Sequence, residues 1–340
     1  MGTLPHIVLG LISVGRLSWR AVSRYLSAMS RWSPHPVTLR QLQYVLAVAE
    51  LRSFRRAAEA CAVAQPSLST QIAQLESALG VRVFERLPRG VVVTDAGGPV
   101  IDRARRTLLE ADDLVAIAES ARDPLAGTLR IGVIPTIAPY LLPEVALVLR
   151  KKFPRLQLVW IEEKTHVLVE RVASGDFAAG IVALESQLGD LETEPLGRDP
   201  FLLAVPAGHK LAMGSGATHA RAAQLEGETV LLLDDGHCFR EQAFAVCQRA
   251  GADEASVRAT SLSTLAQMVA GGAGVTLLPA IAVSTENRAR GLVMRSFGPR
   301  GPSRTLALAW RKTSPSREAL GAIAATMRSV VTKLAAAADA

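Results

Sequence analysis

A chain of 340 residues, nearly half of them apolar, has material for two or three domains with packed cores. Its three cysteines, Cys61, Cys238 and Cys247, are too few for a secreted disulfide scaffold, and no apolar run approaches the ~18–20 residues of a membrane span. The formal net charge of +7 permits nucleic acid as a partner without requiring it. Every Lys or Arg before Lys151 is an arginine. That planar donor fork suits phosphate and guanine edges, although a GC-rich genome favours the same bias.

Residues 1–37 mix short apolar stretches with Arg16, Arg20, Arg24 and Arg31. The run Ile7–Val14 has no basic segment before it, so it does not read as a signal peptide. Two readings of this leader stay open: an amphipathic or disordered extension, or a start placed upstream of a true one at Met29. Thr38 to Gln41 spell a capping box, T-x-x-Q, that opens a helix with an apolar stripe of Leu39, Leu42, Val45 and Leu46. Ser53 can cap a second helix, Phe54 to Ala60. Pro66 suits the first turn of a third, whose apolar face is Leu68, Ile72, Leu75 and Leu79 and whose stop is Gly80. Its other face carries Ser67, Thr70, Gln71 and Gln74, uncharged groups that can donate to and accept from base edges. An ordinary polar surface is the plainer explanation of that stripe taken alone. Two short strand-like runs follow, Val81–Phe84 and Val91–Val93, with Arg86 and Arg89 in the turn between them. A helix-turn-helix followed by a basic wing is a DNA-binding arrangement.

A long helical pattern then runs to about Ala121 with Ile101, Ala104, Leu108, Val115 and Ile117 on its apolar side, which suits packing against another helix. Asp123-Pro124 and Gly127 form a hinge. Beyond it, strand-like runs at Leu129–Ile134, Leu156–Ile161, Ala179–Ala183, Phe201–Val205, Val230–Leu233 and Val275–Leu278 alternate with helical patterns. This is α/β texture with parallel sheet, and about 200 residues of it suit two lobes better than one. The spacing divides the chain into the leader 1–37, a DNA-binding domain 38–97, a linker helix and hinge 98–126, a regulatory domain 127–320, and a C-terminal helix or tail 321–340.

Taken together, Phe54-Arg55-Arg56-Ala57-Ala58, Gln65-Pro66-Ser67-Leu68-Ser69, Gln71-Ile72, Leu75-Glu76, Leu79-Gly80-Val81, Phe84-Glu85-Arg86, Thr94 and Ala96-Gly97 resemble the DNA-binding domain of LysR-type transcriptional regulators. The regulatory half is similar to the peroxide-responsive OxyR branch in Gly132-Val133-Ile134-Pro135-Thr136, in Pro139-Tyr140-Leu141-Leu142-Pro143, and in Asp235-Gly236-His237-Cys238-Phe239-Arg240-Glu241-Gln242-Ala243 followed by Cys247. The likeness spans about residues 38–315. It implies a winged helix-turn-helix, a linker helix and a two-lobed α/β effector domain of periplasmic-binding-protein type. It also implies a cytoplasmic homotetramer that binds double-stranded DNA, works with RNA polymerase, is not an enzyme and uses no cofactor or metal. The DNA contacts would come from Arg55, Arg56, Gln65, Pro66, Ser67, Ser69, Thr70, Gln71, Gln74, Arg86 and Arg89. Hydrogen peroxide would be the signal, with Cys238 reacting first, Cys247 closing the disulfide, and Thr136, His237, Glu241 and Arg304 around the peroxide.

The residues themselves give that roster partial chemical sense. Cys238 follows Gly236-His237 at a strand-to-helix turn, where helix amides and the nearby His237 and Arg240 favour a thiolate. Taken alone, Thr136 can be a helix cap, with or without a role toward peroxide, His237 a turn residue and Arg304 a surface residue. If the segment from Cys238 to Cys247 is helical, nine residues at 1.5 Å hold the α-carbons about 13–14 Å apart. A disulfide needs roughly 4.4–6.8 Å, so the implied bond requires the helix to refold. Three departures stand out: Glu241 where the family has Asp, Ala64 where it has a capping Ser, and Gly98-Pro99 early in the linker helix. The competing readings are a LysR-type sensor of a small metabolite, a thiol peroxidase, and a zinc site of His237, Cys238 and Cys247.

Overall fold

The computed structural model describes residues 35–87, 90–120, 122–212 and 219–336. Residues 1–34 of the leader, the wing-tip residue Arg89 and the last four residues of the tail lie outside the described residues. The chain divides into two compact units, one through Leu108 and one from Leu109.

The first unit follows its local signals closely. The capping box at Thr38 is formed in both directions and opens α1, Leu39–Leu51. Ser53 accepts from the Arg56 amide and opens α2, Phe54–Ala60. Helix α3, Gln65–Leu79, starts after Ala64 with no side-chain cap and stops at Gly80 in the left-handed region. Leu68, Ile72 and Leu75 are buried with Val45, Val48 and Ala57, whereas Leu79, expected on the same face, is exposed. The hairpin strands are β1, Phe84–Leu87, and β2, Gly90–Val93, so the first strand starts three residues later than its apolar run suggests. The reason is Glu76, whose Oε1 accepts the amides of Val83 at 2.7 Å and Phe84 at 3.1 Å and holds that segment against α3.

Helix α4, Gly97–Ser120, starts where Thr94 Oγ1 accepts the Gly97 amide. Ile101 and Ala104 are buried as expected, while Leu114, Val115 and Ile117 are exposed. Gly97 is required by close approach: a β-carbon there would stand 2.3 Å from the Val83 carbonyl oxygen. Gly97→Ala is therefore expected to destabilise the DNA-binding unit by about 1–3 kcal/mol, seen as an earlier urea transition of that unit in the full chain.

The second unit begins with β3, Gly127–Val133, α5, Ala138–Lys152, β4, Leu156–Glu162, α6, Thr165–Ala173, and β5, Ala179–Ala183. Next come β6, Leu191–Pro206, β7, Thr229–Leu233, α7, Cys238–Arg249, β8, Asp253–Ala259, and α8, Leu262–Ala270. It ends with β9, Thr276–Pro279, α9, Ala280–Glu286, β10, Leu292–Ser296, β11, Ser303–Arg311, and α10, Arg317–Ala336. Strands β3, β4 and β5 are parallel, as are β7 and β8, in line with the α/β reading. The sheet is nonetheless mixed, because β11 runs antiparallel to β5 and β6, and β9 and β10 run antiparallel to β6.

The long strand β6 organises the two lobes. From Leu191 to Pro200 it pairs with β11; from Phe201 onward it pairs with β9 and β10. The crossover between lobes therefore falls at Asp199–Phe201. The boundary drawn at residue 320 falls inside α10, whose Leu320, Ile323, Met327 and Val331 are buried in the same core as the strands. Residues 321–336 are thus part of the regulatory fold. Among the described residues α10 alone is long and apolar enough to cross a membrane, but that apolar side is taken up by the core.

Candidate functional site

On the DNA-binding unit, Gln65, Pro66, Ser67, Thr70 and Gln74 are exposed along α3, with Ser69 and Gln71 half-buried beside them. Thr70 turns its hydroxyl back to the Pro66 carbonyl at 2.9 Å, and Gln65 Nε2 donates to Ser69 Oγ at 3.3 Å. Arg86, expected in the wing turn, stands in β1. Its guanidinium lies 4.1 Å from the Phe54 ring centre and donates to Ser69 Oγ at 3.1 Å, so it is held beside α3. Arg55 and Arg56 are exposed on α2, and Arg55 pairs with Glu59 at 3.2 Å.

In the regulatory unit the fold gathers a buried polar cluster at the lobe crossover. Arg304 of β11 and Asp199 of β6 are opposite each other in register and wholly buried. Arg304 Nε donates to Asp199 Oδ2 at 2.9 Å, Nη1 to Thr136 Oγ1 at 2.7 Å, and Nη2 to the Thr136 carbonyl at 2.9 Å. The second Asp199 oxygen accepts the Ile281 amide at 3.1 Å. Burial pushes the Asp199 carboxyl up, and the Arg304 charge and hydrogen bond pull it back. Arg304 is accordingly no surface residue. Thr136 is no cap either, since α5 begins after Ile137 without a side-chain cap. The guanidinium also lies 5.4 Å from the ring centre of Phe239, the neighbour of Cys238, and that ring packs edge-on against Phe201 at 5.0 Å.

Cys238 is the first residue of α7 and is buried, at the helix end where backbone amides are unpaired. Gly236, at φ +88°, makes the turn into it. His237 is buried as the cap residue. Burial, then the Lys164 charge, hold its imidazole below the usual histidine range, with Asp234 opposing, which favours the neutral ring at pH 7. Arg240 does not serve the thiol: it is tied to Asp235 at 2.9 Å, Glu254 at 3.0 Å and the Leu233 carbonyl at 3.2 Å. Glu241 is exposed on the first turn of α7, whereas Thr136, His237 and Arg304 are buried. Cys247, in the last turn of the same helix, is buried and its thiol is pushed up to about 12 by desolvation. All three cysteines are free thiols. Among the described residues no group of three or more His, Cys, Asp and Glu could hold a metal ion, and Cys238 and Cys247 stand at opposite ends of α7, which leaves the zinc reading without a geometry.

Residues 39–98 match the family described as bacterial regulatory helix-turn-helix protein, lysR family, and residues 122–332 match the LysR substrate binding domain. The DNA-binding transcriptional dual regulator OxyR of Escherichia coli K12 is 42% identical over 293 residues, covering 86% of this chain and 95% of its own. The chain belongs to the LysR family, in its OxyR branch. A full-length OxyR variant from Pseudomonas aeruginosa has a similar structure, with TM-score 0.71, 35% identity, and coverage of 86% of this chain and 95% of that one. An OxyR mutant from Corynebacterium glutamicum, described as bound to H2O2, aligns at TM-score 0.61 and 32% identity over 90% of this chain and 95% of that one.

Measured against that OxyR-type frame, three side chains near the site escaped sequence reasoning. Asp199 gave only the signal of an acid beside Pro200 at the mouth of an apolar strand. Lys164 lies far away in sequence and reaches the Cys238 turn only through the fold. Gln242 lies one turn beyond Cys238 on α7, and both its amide oxygen and nitrogen are buried without a hydrogen-bond partner among the described residues.

Proposed function

We propose that this LysR-family protein is a transcriptional regulator that senses hydrogen peroxide through Cys238 and Cys247. The carrying observation is one helix, α7, with a free buried thiol at each end, the first of them beside buried hydrogen-bonding groups. A small ligand with donors and acceptors on both ends suits Thr136, His237 and the orphaned Gln242 amide. The Cys238 thiolate attacks one peroxide oxygen, the O–O bond breaks, and the departing hydroxide takes a proton to leave as water. Cys238 is then a sulfenic acid. Cys247 next displaces that hydroxyl as a second water, leaving the disulfide and two electrons transferred per peroxide. Arg304 positions the Thr136 hydroxyl; it does not react.

The separation of the two thiols makes oxidation a conformational event. Ten helical residues cannot bring the sulfurs together, so α7 must unwind, and the regulatory lobes repack around the new shape. In this reading α3 and the wing bind double-stranded operator DNA, and the change is passed through a homotetramer, to RNA polymerase, in the reducing cytoplasm where free thiols persist. The exposed Leu114, Val115 and Ile117 of α4 offer an apolar stripe for a partner helix.

Peptide mass mapping after one equivalent of peroxide and a thiol block tests the redox reading. The expected product is a Cys238–Cys247 bridge reversed by dithiol, with Cys61 free. Two free thiols would leave DNA binding intact, refute the disulfide and turn attention to an effector in the interlobe cleft. Continuous consumption of peroxide with a thiol reductant would make the protein a peroxidase instead. For the DNA face, Gln74→Ala is expected to cost about 1–3 kcal/mol against the preferred base only. Arg86→Ala is expected to weaken all sequences alike and to flatten the salt dependence by about one charge. Titrations of operator and scrambled duplex at several salt concentrations separate the two.

A further inference from the structure

Lys164 precedes α6 in the first lobe, yet its side chain reaches the turn that carries Cys238 in the second. Its Nζ donates to the Asp235 carbonyl at 3.1 Å. Gly236 leaves room for it: a β-carbon there would meet Lys164 Cδ at 3.2 Å and Nζ at 3.3 Å. The ammonium is also close enough to help keep His237 neutral. Asp235 receives two further cations through its side chain, Arg240 at 2.9 Å and Arg258 at 2.8 Å, both from its own lobe. Of the three, only Lys164 spans the cleft.

One end of α7 must move before the sulfurs can meet. The Cys247 end is sealed by burial of Val246 and Cys247 and by the Ala250 and Ala252 amides on the Cys247 carbonyl. The Cys238 end is buried as well, through His237, Cys238 and Phe239, but the Asp235–Gly236 turn that leads into it is exposed and is held by side-chain contacts from Lys164, Arg240 and Arg258. We propose that Lys164 is a positioning residue for the redox reaction, a latch across the cleft that holds the Asp235–Gly236 turn in the reduced arrangement and so slows closure of the Cys238 sulfenic acid onto Cys247. The latch rests on the redox reading above. It acts on closure, because its hydrogen bond is to the Asp235 carbonyl of the turn.

Quenched-flow oxidation of the full chain, with sulfenic acid trapped by dimedone and bridges counted by mass, resolves the two steps. In Lys164→Met, closure, read separately from the peroxide-dependent step to which His237 contributes, is expected about fivefold faster, the worth of one partly exposed hydrogen bond from a charged donor. Lys164→Arg, which keeps donor and charge, is expected to close at the parent rate. The latch is overturned if Lys164→Met closes no faster than the parent, or if Lys164→Arg closes as fast as Lys164→Met. Those results leave the redox reading standing, whereas a parent protein that forms no bridge removes both.

Discussion

Asp199→Ala is expected to destabilise the regulatory unit by about 3–5 kcal/mol, because it leaves the Arg304 guanidinium buried without its counter-charge. The two residues face each other at the place where β6 passes from one lobe to the other, and neither reaches solvent. The remaining partners of Arg304, the hydroxyl and carbonyl of Thr136, are neutral. The Ile281 amide loses its acceptor as well. For a unit of this size the loss corresponds to a melting midpoint lower by roughly 6–20 °C. The pair is not retained for stability as such, since desolvating two ions offsets most of their attraction. The double variant Asp199→Leu with Arg304→Met is therefore expected to recover most of the loss while reacting poorly with peroxide, because Thr136 is no longer held. Urea unfolding of the three proteins checks both statements. A single variant as stable as the parent would mean that water reaches this pair.

Local chemistry made the DNA-binding unit legible. The Thr38 box, the Ser53 cap and the Gly80 stop each act within four residues, and each holds in the structure. The first hairpin strand was misplaced because its start is decided by Glu76, seven and eight residues away from the amides it holds. The same limit applies to β6. Its first half, Leu191–Pro200, has no alternating apolar pattern and becomes a strand by pairing with β11, about a hundred residues later. The site followed the same rule. Family likeness pointed to Cys238, Thr136 and Arg304, while residue-by-residue reasoning left open a cap at Thr136 and a surface residue at Arg304. Asp199 explains why Arg304 can be buried, and no nearby residue in the sequence announces that partner. Glu241 differs: its position in the motif suggested the pocket, and helical phase leaves it exposed.

Cys238→Ser and Cys247→Ser are both expected to abolish the disulfide, but they stop the reaction at different points. Without Cys238 no sulfenic acid forms. Without Cys247 the sulfenic acid forms at the parent rate and then persists until dimedone traps it. There it persists because no resolving thiol remains, and in the parent protein burial of Cys247 delays the same step. The Cys247 thiol is lifted from 9.0 to about 12, so in the folded reduced helix it is protonated at neutral pH and is a poor nucleophile. It becomes one only when α7 opens, which makes the order oxidation, opening, closure. The same shift leaves a mark on stability. With its folded value raised, Cys247 contributes stability that is fully present below about pH 9 and is lost as pH rises toward 12, because the unfolded thiol ionises first. Three pH units correspond to roughly 4 kcal/mol. Reduced parent protein is therefore expected to lose stability over that window relative to Cys247→Ser, measured by urea unfolding at fixed alkaline pH. Parallel curves for the two proteins would show that Cys247 is already accessible in the reduced fold, and closure would then need no opening step to expose its thiol.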